Sequence, residues 1–84
     1  MEYSQLYVKR IRQLCKIRGL AINKLAVMSG VSQSTLDNIM RGLTKNPRVK
    51  TLHKIAIAFN MTLCEFLDFK ELNDYSFDDN DLES

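Results

Sequence analysis

The stretch LAINKLAVMSGVSQSTLDNIMRG, residues 20–42, decides the reading of this chain. It divides into two short helical segments joined by a tight turn. Leu25 and Ala26 make an apolar pair on the first segment. Gly30 stands in the turn, where a sharp fold-back needs a positive φ that glycine reaches without steric cost. Val31 fills the corner. Ser32 is placed to cap the following helix by accepting a hydrogen bond from a free backbone N–H. On that second helix Leu36 and Ile39 point inward, three apart, which leaves Gln33, Ser34, Asp37 and Asn38 outside. A short helix with Gln, Ser and Asn near its start has the donors and acceptors that suit base edges in a DNA groove.

Upstream, Tyr7, Ile11, Leu14 and Cys15 recur at spacings of three and four and predict a helix over Ser4–Arg18 that ends at Gly19. The next helix is expected over Ile22–Ser29. Ala21 stands where a capping Ser or Thr usually sits, so this start lacks a side-chain acceptor, at a cost of about 1 kcal/mol. The third helix is expected over Gln33–Arg41, with Gly42 ending it. LTKNPR, residues 43–48, forms the longest loop, and Asn46 is biased toward an extended backbone by the proline after it. A fourth helix over Val49–Phe59 turns Leu52, Ile55, Ala56 and Phe59 inward, and Asn60 can end it because asparagine tolerates the left-handed region. Thr62-Leu63-Cys64-Glu65 fits a capping box for a fifth helix, whose Leu63, Phe66 and Leu67 complete the core. From Asn73 the sequence NDYSFDDNDLES reads as disordered or loosely docked.

Eighty-four residues, 45% of them hydrophobic, suffice for one small domain with one core. No apolar run reaches the roughly 20 residues that span a bilayer, and the N-terminus does not read as a signal peptide. Cys15 and Cys64 read as reduced core residues of a cytoplasmic protein, and Met28, Met40 and Met61 as packing residues. The net charge of +2 conceals an asymmetry. Residues 1–64 carry eleven Lys/Arg against two acids, Glu2 and Asp37, a net +9. Residues 65–84 carry one Lys against eight acids, a net −7. A basic body of this kind is the footprint of a polyanion binder. His53 lies on the outer face of the fourth helix without a ligand-spaced Cys or carboxylate. The cysteines lack a CxxC pattern, and no nucleophile–base pair or phosphate-cradling glycine loop stands out. No metal, cofactor or enzymatic activity is therefore expected.

The ordered landmarks Ile11-Arg12-x-Leu14, Arg18-Gly19-Leu20, Lys24-Leu25-Ala26, Gly30-Val31-Ser32-x-Ser34-Thr35-Leu36, Ile39-x-Arg41-Gly42, Pro47, Thr51-Leu52-x-x-Ile55-Ala56 and Leu63-x-x-Phe66 run through residues 8–69. In that order they resemble the helix-turn-helix domains of the phage repressor and Cro family, also called Xre-like regulators. The resemblance implies an all-α fold, a compact five-helix bundle of the lambda-repressor-like type, over residues 1–72, followed by an acidic tail over residues 73–84. It implies sequence-specific binding of double-stranded DNA by a transcriptional regulator, with repression the expected action though sequence does not separate it from activation, acting as a homodimer at least on DNA. The chain departs from the family at three points. Ile22 replaces a phosphate-donating Gln at the start of the second helix, Cys15 and Met40 replace an Arg–Glu pair, and Ala21 removes the usual cap.

Carried over residue by residue, the resemblance assigns Gln33, Ser34 and Asn38 to base reading. Gln and Asn can each bond adenine N6 and N7 together. Thr35 can set its methyl against thymine or bond its own backbone. Asp37, an acid beside an anionic groove, points sideways. Lys45, Asn46 and Arg48 in the loop, with Arg41, Asn23 and Lys24, are the phosphate contacts, which give affinity without sequence information. Lys9 and Arg10 are weaker candidates. The acidic tail admits three uses: solvated charge balance, a dimer surface around the fifth helix and the aromatics, or a phosphate mimic that competes for the basic face. The rival to DNA binding is a protein-interaction module, an antitoxin-like partner binder that uses the third helix or the tail.

Overall fold

A computed structural model describes residues 2–77. It forms α1 (Tyr3–Arg18), α2 (Ile22–Ser29), α3 (Gln33–Met40), α4 (Val49–Ala58), α5 (Leu63–Leu67) and α6 (Lys70–Asn73), with no strand among the described residues. The expected all-α bundle is present, corrected from five helices to six by the single turn of α6. Boundaries move by one residue. The first helix begins at Tyr3, and Arg41 and Phe59 cap the third and fourth rather than belonging to them.

Local chemistry sets most of these ends. Ala21 caps α2 with no side-chain hydrogen bond, as its missing acceptor requires. At the turn between α2 and α3, Gly30 has φ 72, and its N–H bonds back to Ala26 O and Val27 O. No atom lies within 4 Å of where a Gly30 Cβ would stand, so the backbone angle alone selects glycine there. Ser29 Oγ braces the same turn, donating to Ala26 O at 3.2 Å and accepting from Val31 N at 3.2 Å. Asn60 takes φ 59 after α4, the left-handed role expected of it. Both halves of the Thr62–Glu65 capping box are made: Glu65 N donates to Thr62 Oγ1 at 3.0 Å, and Thr62 N donates to Glu65 Oε1 at 2.8 Å.

Helices of eight residues are marginal alone and hold here by burying one face. Ile11, Leu14 and Cys15 of α1, Leu25 and Ala26 of α2, Val31, Leu36 and Ile39, then Leu52, Ile55, Ala56, Phe59 and Phe66 make one core. Within it α2 packs on α3 and α4, α4 on α5, and α1 on α3. Cys15 is buried, and that burial raises its thiol pKa. Met40 and Met61 pack on the core's edge. Two core expectations are corrected: Cys64 and Met28 are exposed. Residue type marked both as apolar, but their positions on short helices turn them outward.

The far side of the bundle is closed by Arg10. Its Nε donates to Phe66 O at 2.9 Å and its Nη2 to Glu65 O at 2.9 Å, with the guanidinium 5.2 Å from the Phe69 ring centre. The first bond satisfies a carbonyl that the short α5 leaves open, and the second adds a charged donor to one that already accepts from Asp68 N at 3.3 Å. Lys9 Nζ meets Glu71 Oε2 at 2.9 Å and holds that carboxyl below the ordinary glutamate range.

Of the segment expected to be disordered or loosely docked, the described part after α6 is docked through its aromatic rings. Tyr75 and Phe77 lie 5.3 Å from Tyr3, ring centre to ring centre, and 4.9 Å from each other. Tyr7 Oη donates to Tyr3 Oη at 2.8 Å beneath them, and burial raises the Tyr7 pKa. Residues 78–84, which carry four of the five acids of residues 73–84, lie outside the described residues.

Candidate nucleic-acid interface

The turn at Gly30 and the buried Leu36 and Ile39 fix how α3 sits, and its other face is open. Gln33, Ser34, Thr35 and Asn38 are all exposed, as are Asn23, Lys24, Arg41, Lys45, Asn46 and Arg48. Their side chains differ in how far they are committed within the protein.

Ser32 is the N-cap. Its Oγ accepts from Thr35 N at 3.1 Å and donates to Thr35 Oγ1 at 2.7 Å. Thr35 is therefore a helix-start residue tied to its cap, and its own hydroxyl proton remains available outward. Gln33 Nε2 donates to Asp37 Oδ1 at 2.8 Å, one turn along α3. Asp37 is exposed and accepts this one side-chain bond among the described residues. No side-chain hydrogen bond within the described residues engages Ser34 or Asn38. The Asn38 carbonyl accepts from Leu43 N at 2.9 Å and Thr44 N at 3.2 Å, which sets the path of the loop.

Two adjoining grooves gather part of the predicted set. One is lined by Ser32 and Thr35 with Arg48, Lys50, Thr51 and Lys54. The other joins Thr35 and Ile39 to Thr44, Asn46, Pro47 and Arg48. Thr35, Asn46 and Arg48 are thus brought together beside the start of α3. Lys50 and Lys54 join them although sequence reading passed them over. Their four-residue spacing on α4, following Arg48, was the available signal, since it places both on one helix face. No carboxylate among the described residues lies in ion-pair range of Arg48, Lys50 or Lys54.

Other predicted contacts stand apart. Arg41 lies at the opposite end of α3, lining a groove with Gln5, Lys9, Arg12 and Gln13. Lys45 is already paired, its Nζ 3.2 Å from Glu2 Oε2, in a groove shared with Asn46, Tyr3, Tyr75 and Phe77. Asn23 turns its Oδ1 back to accept from Lys24 N at 2.9 Å, leaving only its amide N–H groups for another acceptor. Among the described residues no helix is long and apolar enough to cross a membrane.

An eight-residue helix set across a glycine turn, its polar start outward beside three cations, is the arrangement of a helix-turn-helix protein. Residues 11–66 match the helix-turn-helix family, more than half of the chain, and the chain belongs to that family in its phage repressor/Cro-type branch. It is 45% identical over 58 residues to the HTH-type transcriptional regulator SlrR of Bacillus subtilis, covering 69% of this chain and 38% of SlrR. To the HTH-type transcriptional regulator SinR of the same organism it is 33% identical over 67 residues, covering 80% of this chain and 60% of SinR. The chain thus spans less than two thirds of either relative. A crystal structure of the prophage Lp1 protein 11 superposes with a TM-score of 0.79 at 25% identity, over 89% of this chain and 100% of that one.

Proposed function

We propose that this chain binds double-stranded DNA with the exposed start of α3 and regulates transcription, acting as a repressor. The observation that carries this reading is the groove in which Ser32 and Thr35 of the α3 start share walls with Arg48, Lys50 and Lys54. Those three cations suit phosphates flanking a major groove that α3 enters, while Gln33, Ser34 and Asn38 meet base edges. Thr35 has its hydroxyl tied to the cap and contributes a methyl or a single outward O–H. Asn46 and Lys45 extend the phosphate track along the loop. Arg41, Asn23 and Lys24 are its outlying members. The names of SlrR and SinR describe transcriptional regulators, and their likeness to this chain supports the same role without an enzymatic one.

One copy of α3 offers few contacts, so two copies are expected on a two-fold site with their α3 helices about 34–36 Å apart, one turn of DNA. The helical domain, with Tyr75 and Phe77 packed on its Tyr3, accounts for this binding. A cytoplasmic location follows from the role. Selection of duplexes from a random pool tests the reading. A two-fold symmetric sequence with half-sites one turn apart is expected, and failure to enrich any sequence contradicts it.

The second reading, a protein partner held through the tail, is favoured by one feature. Phe77 remains 49% exposed at the edge of the Tyr3–Tyr75–Phe77 cluster, an aromatic surface beside acids. Random-pool selection without enrichment, together with retention of a protein on immobilised chain that Phe77→Ala releases, would favour this second reading.

A further inference from the structure

Asp37 is the only acid between Tyr3 and Cys64, and it stands on the helix offered to DNA. A carboxylate there opposes binding to every duplex alike, since it faces phosphate charge. The structure gives it one partner: Gln33 Nε2 donates to its Oδ1 at 2.8 Å. A carboxylate can only accept, so this bond decides which way the Gln33 amide turns, with its NH2 toward Asp37 and its carbonyl away. The amide nitrogen carries two protons, and Asp37 takes one of them. One N–H and the Oε1 acceptor remain, the pair that matches adenine N7 and the adenine N6 amino group in the major groove. Gln33 is exposed and rich in rotamers, so an untethered amide would sample both orientations and many positions.

We propose that Asp37 is a positioning residue that holds the Gln33 amide in the orientation that reads adenine. The inference rests on the proposed DNA binding through α3 and names one base of its target. The acid weakens binding to all sequences while raising discrimination at one base pair, which is how specificity differs from affinity.

The test compares the wild type with Asp37→Ala, Asp37→Asn, Gln33→Ala and the double variant Gln33→Ala/Asp37→Ala. Each is titrated with the selected duplex, the same duplex changed at single base pairs, and a random duplex. Both side chains are exposed, so the fold should survive all four changes, and a circular dichroism melt checks this. Gln33→Ala should lose preference at one A·T pair. Asp37→Ala should bind random duplex more tightly, yet lose about three- to ten-fold of its preference at that same pair, the cost of an amide that is correctly placed only part of the time. Asp37→Asn should keep the preference, because its carbonyl can accept the same bond without the charge. In the double variant, Asp37→Ala should add no further loss of preference to Gln33→Ala.

The proposal is overturned if Asp37→Ala discriminates as well as the wild type, or if Asp37→Asn loses as much as Asp37→Ala. It is also overturned if Gln33→Ala loses preference at no base pair or at a G·C pair. A wild type that binds every duplex alike contradicts DNA reading through α3 itself, a result distinct from all of these.

Discussion

Lys9 and Arg10 on α1 face α5 and α6, and Arg48, Lys50 and Lys54 flank the start of α3. The first two are engaged inside the protein: Arg10 with the Glu65 and Phe66 carbonyls and the Phe69 ring, Lys9 with Glu71. The other three have no carboxylate among the described residues in ion-pair range, and they line one groove with Ser32 and Thr35. The cationic body expected from composition therefore splits into a side that holds the bundle together and a side that can meet an anion. Net charge indicates that a polyanion can be attracted, but only the pairing of each cation indicates where it can land.

Neutralising the free side should have the largest effect. Replacing Arg48, Lys50 and Lys54 together by Ala is expected to lower the slope of log K against log salt by about 2.7, at about 0.9 for each lost phosphate contact. Between about 1 M and about 0.1 M salt that corresponds to roughly two to three orders of magnitude in affinity, about 500-fold. Stability should stay within about 0.5 kcal/mol, as for exposed substitutions generally. Equal salt slopes for variant and wild type would break the comparison from this side.

Arg10→Ala should break it from the other. It leaves two carbonyls without their charged donor and is expected to lower unfolding free energy by about 2 kcal/mol, read by chemical denaturation. The salt slope of the folded protein should not change. A destabilised variant with a reduced slope would place Arg10 on the DNA side instead. Gly30→Ala comes next, at about 1–2 kcal/mol, because the only obstacle at that turn is the left-handed backbone angle. Gly30→Asn should lose less, and a thermal melt ranks the two.

Lys45 sharpens the boundary between the two sides, since it is a loop cation already holding Glu2. Lys45→Ala should lower the salt slope by less than the full value of about 0.9. Glu2→Gln should tighten DNA binding slightly by freeing it. An exposed pair of this kind is worth at most about 1 kcal/mol, so a large effect of either change would contradict the assignment.

The smallest effect is a pH dependence at the α5 cap. The Thr62 backbone N–H, then its side chain, hold the Glu65 carboxyl below the ordinary glutamate range. A lowered folded value means that the ionised cap adds stability above the unfolded range, and that this is lost as pH falls through the folded value. The stability gap between wild type and Glu65→Gln should thus be widest near neutral pH and close on acidification. A constant gap across that range would remove the charge from the cap.

What sequence made legible, and what it did not, follows sequence distance. Gly30, Ser32, Asn60 and the Thr62–Glu65 box act on residues within a turn of themselves, and each was readable from its neighbours. So was the inward set Leu36, Ile39, Leu52, Ile55 and Phe59, because helical period carries it. Arg10 was not readable as a brace, since its partners lie 55 and 56 positions away. The Tyr3–Tyr75–Phe77 cluster was missed for the same reason. Cys64 and Met28 were misplaced because apolar character alone cannot set the phase of so short a helix. At the candidate interface, sequence pattern named the α3 side chains and the loop cations. It did not show that α4 adds Lys50 and Lys54, that Arg41 sits at the other end, or that Gln33 is held by Asp37.

The central claim is that duplex DNA lies against the start of α3 and the cations beside it. Backbone amide shifts of the labelled chain, followed during titration with a selected duplex, test this most directly. The account predicts perturbations concentrated in residues 32–38 and 44–54, with α5 and Arg10 nearly still. Perturbations centred on α5 and α6, with the start of α3 unmoved, would contradict it.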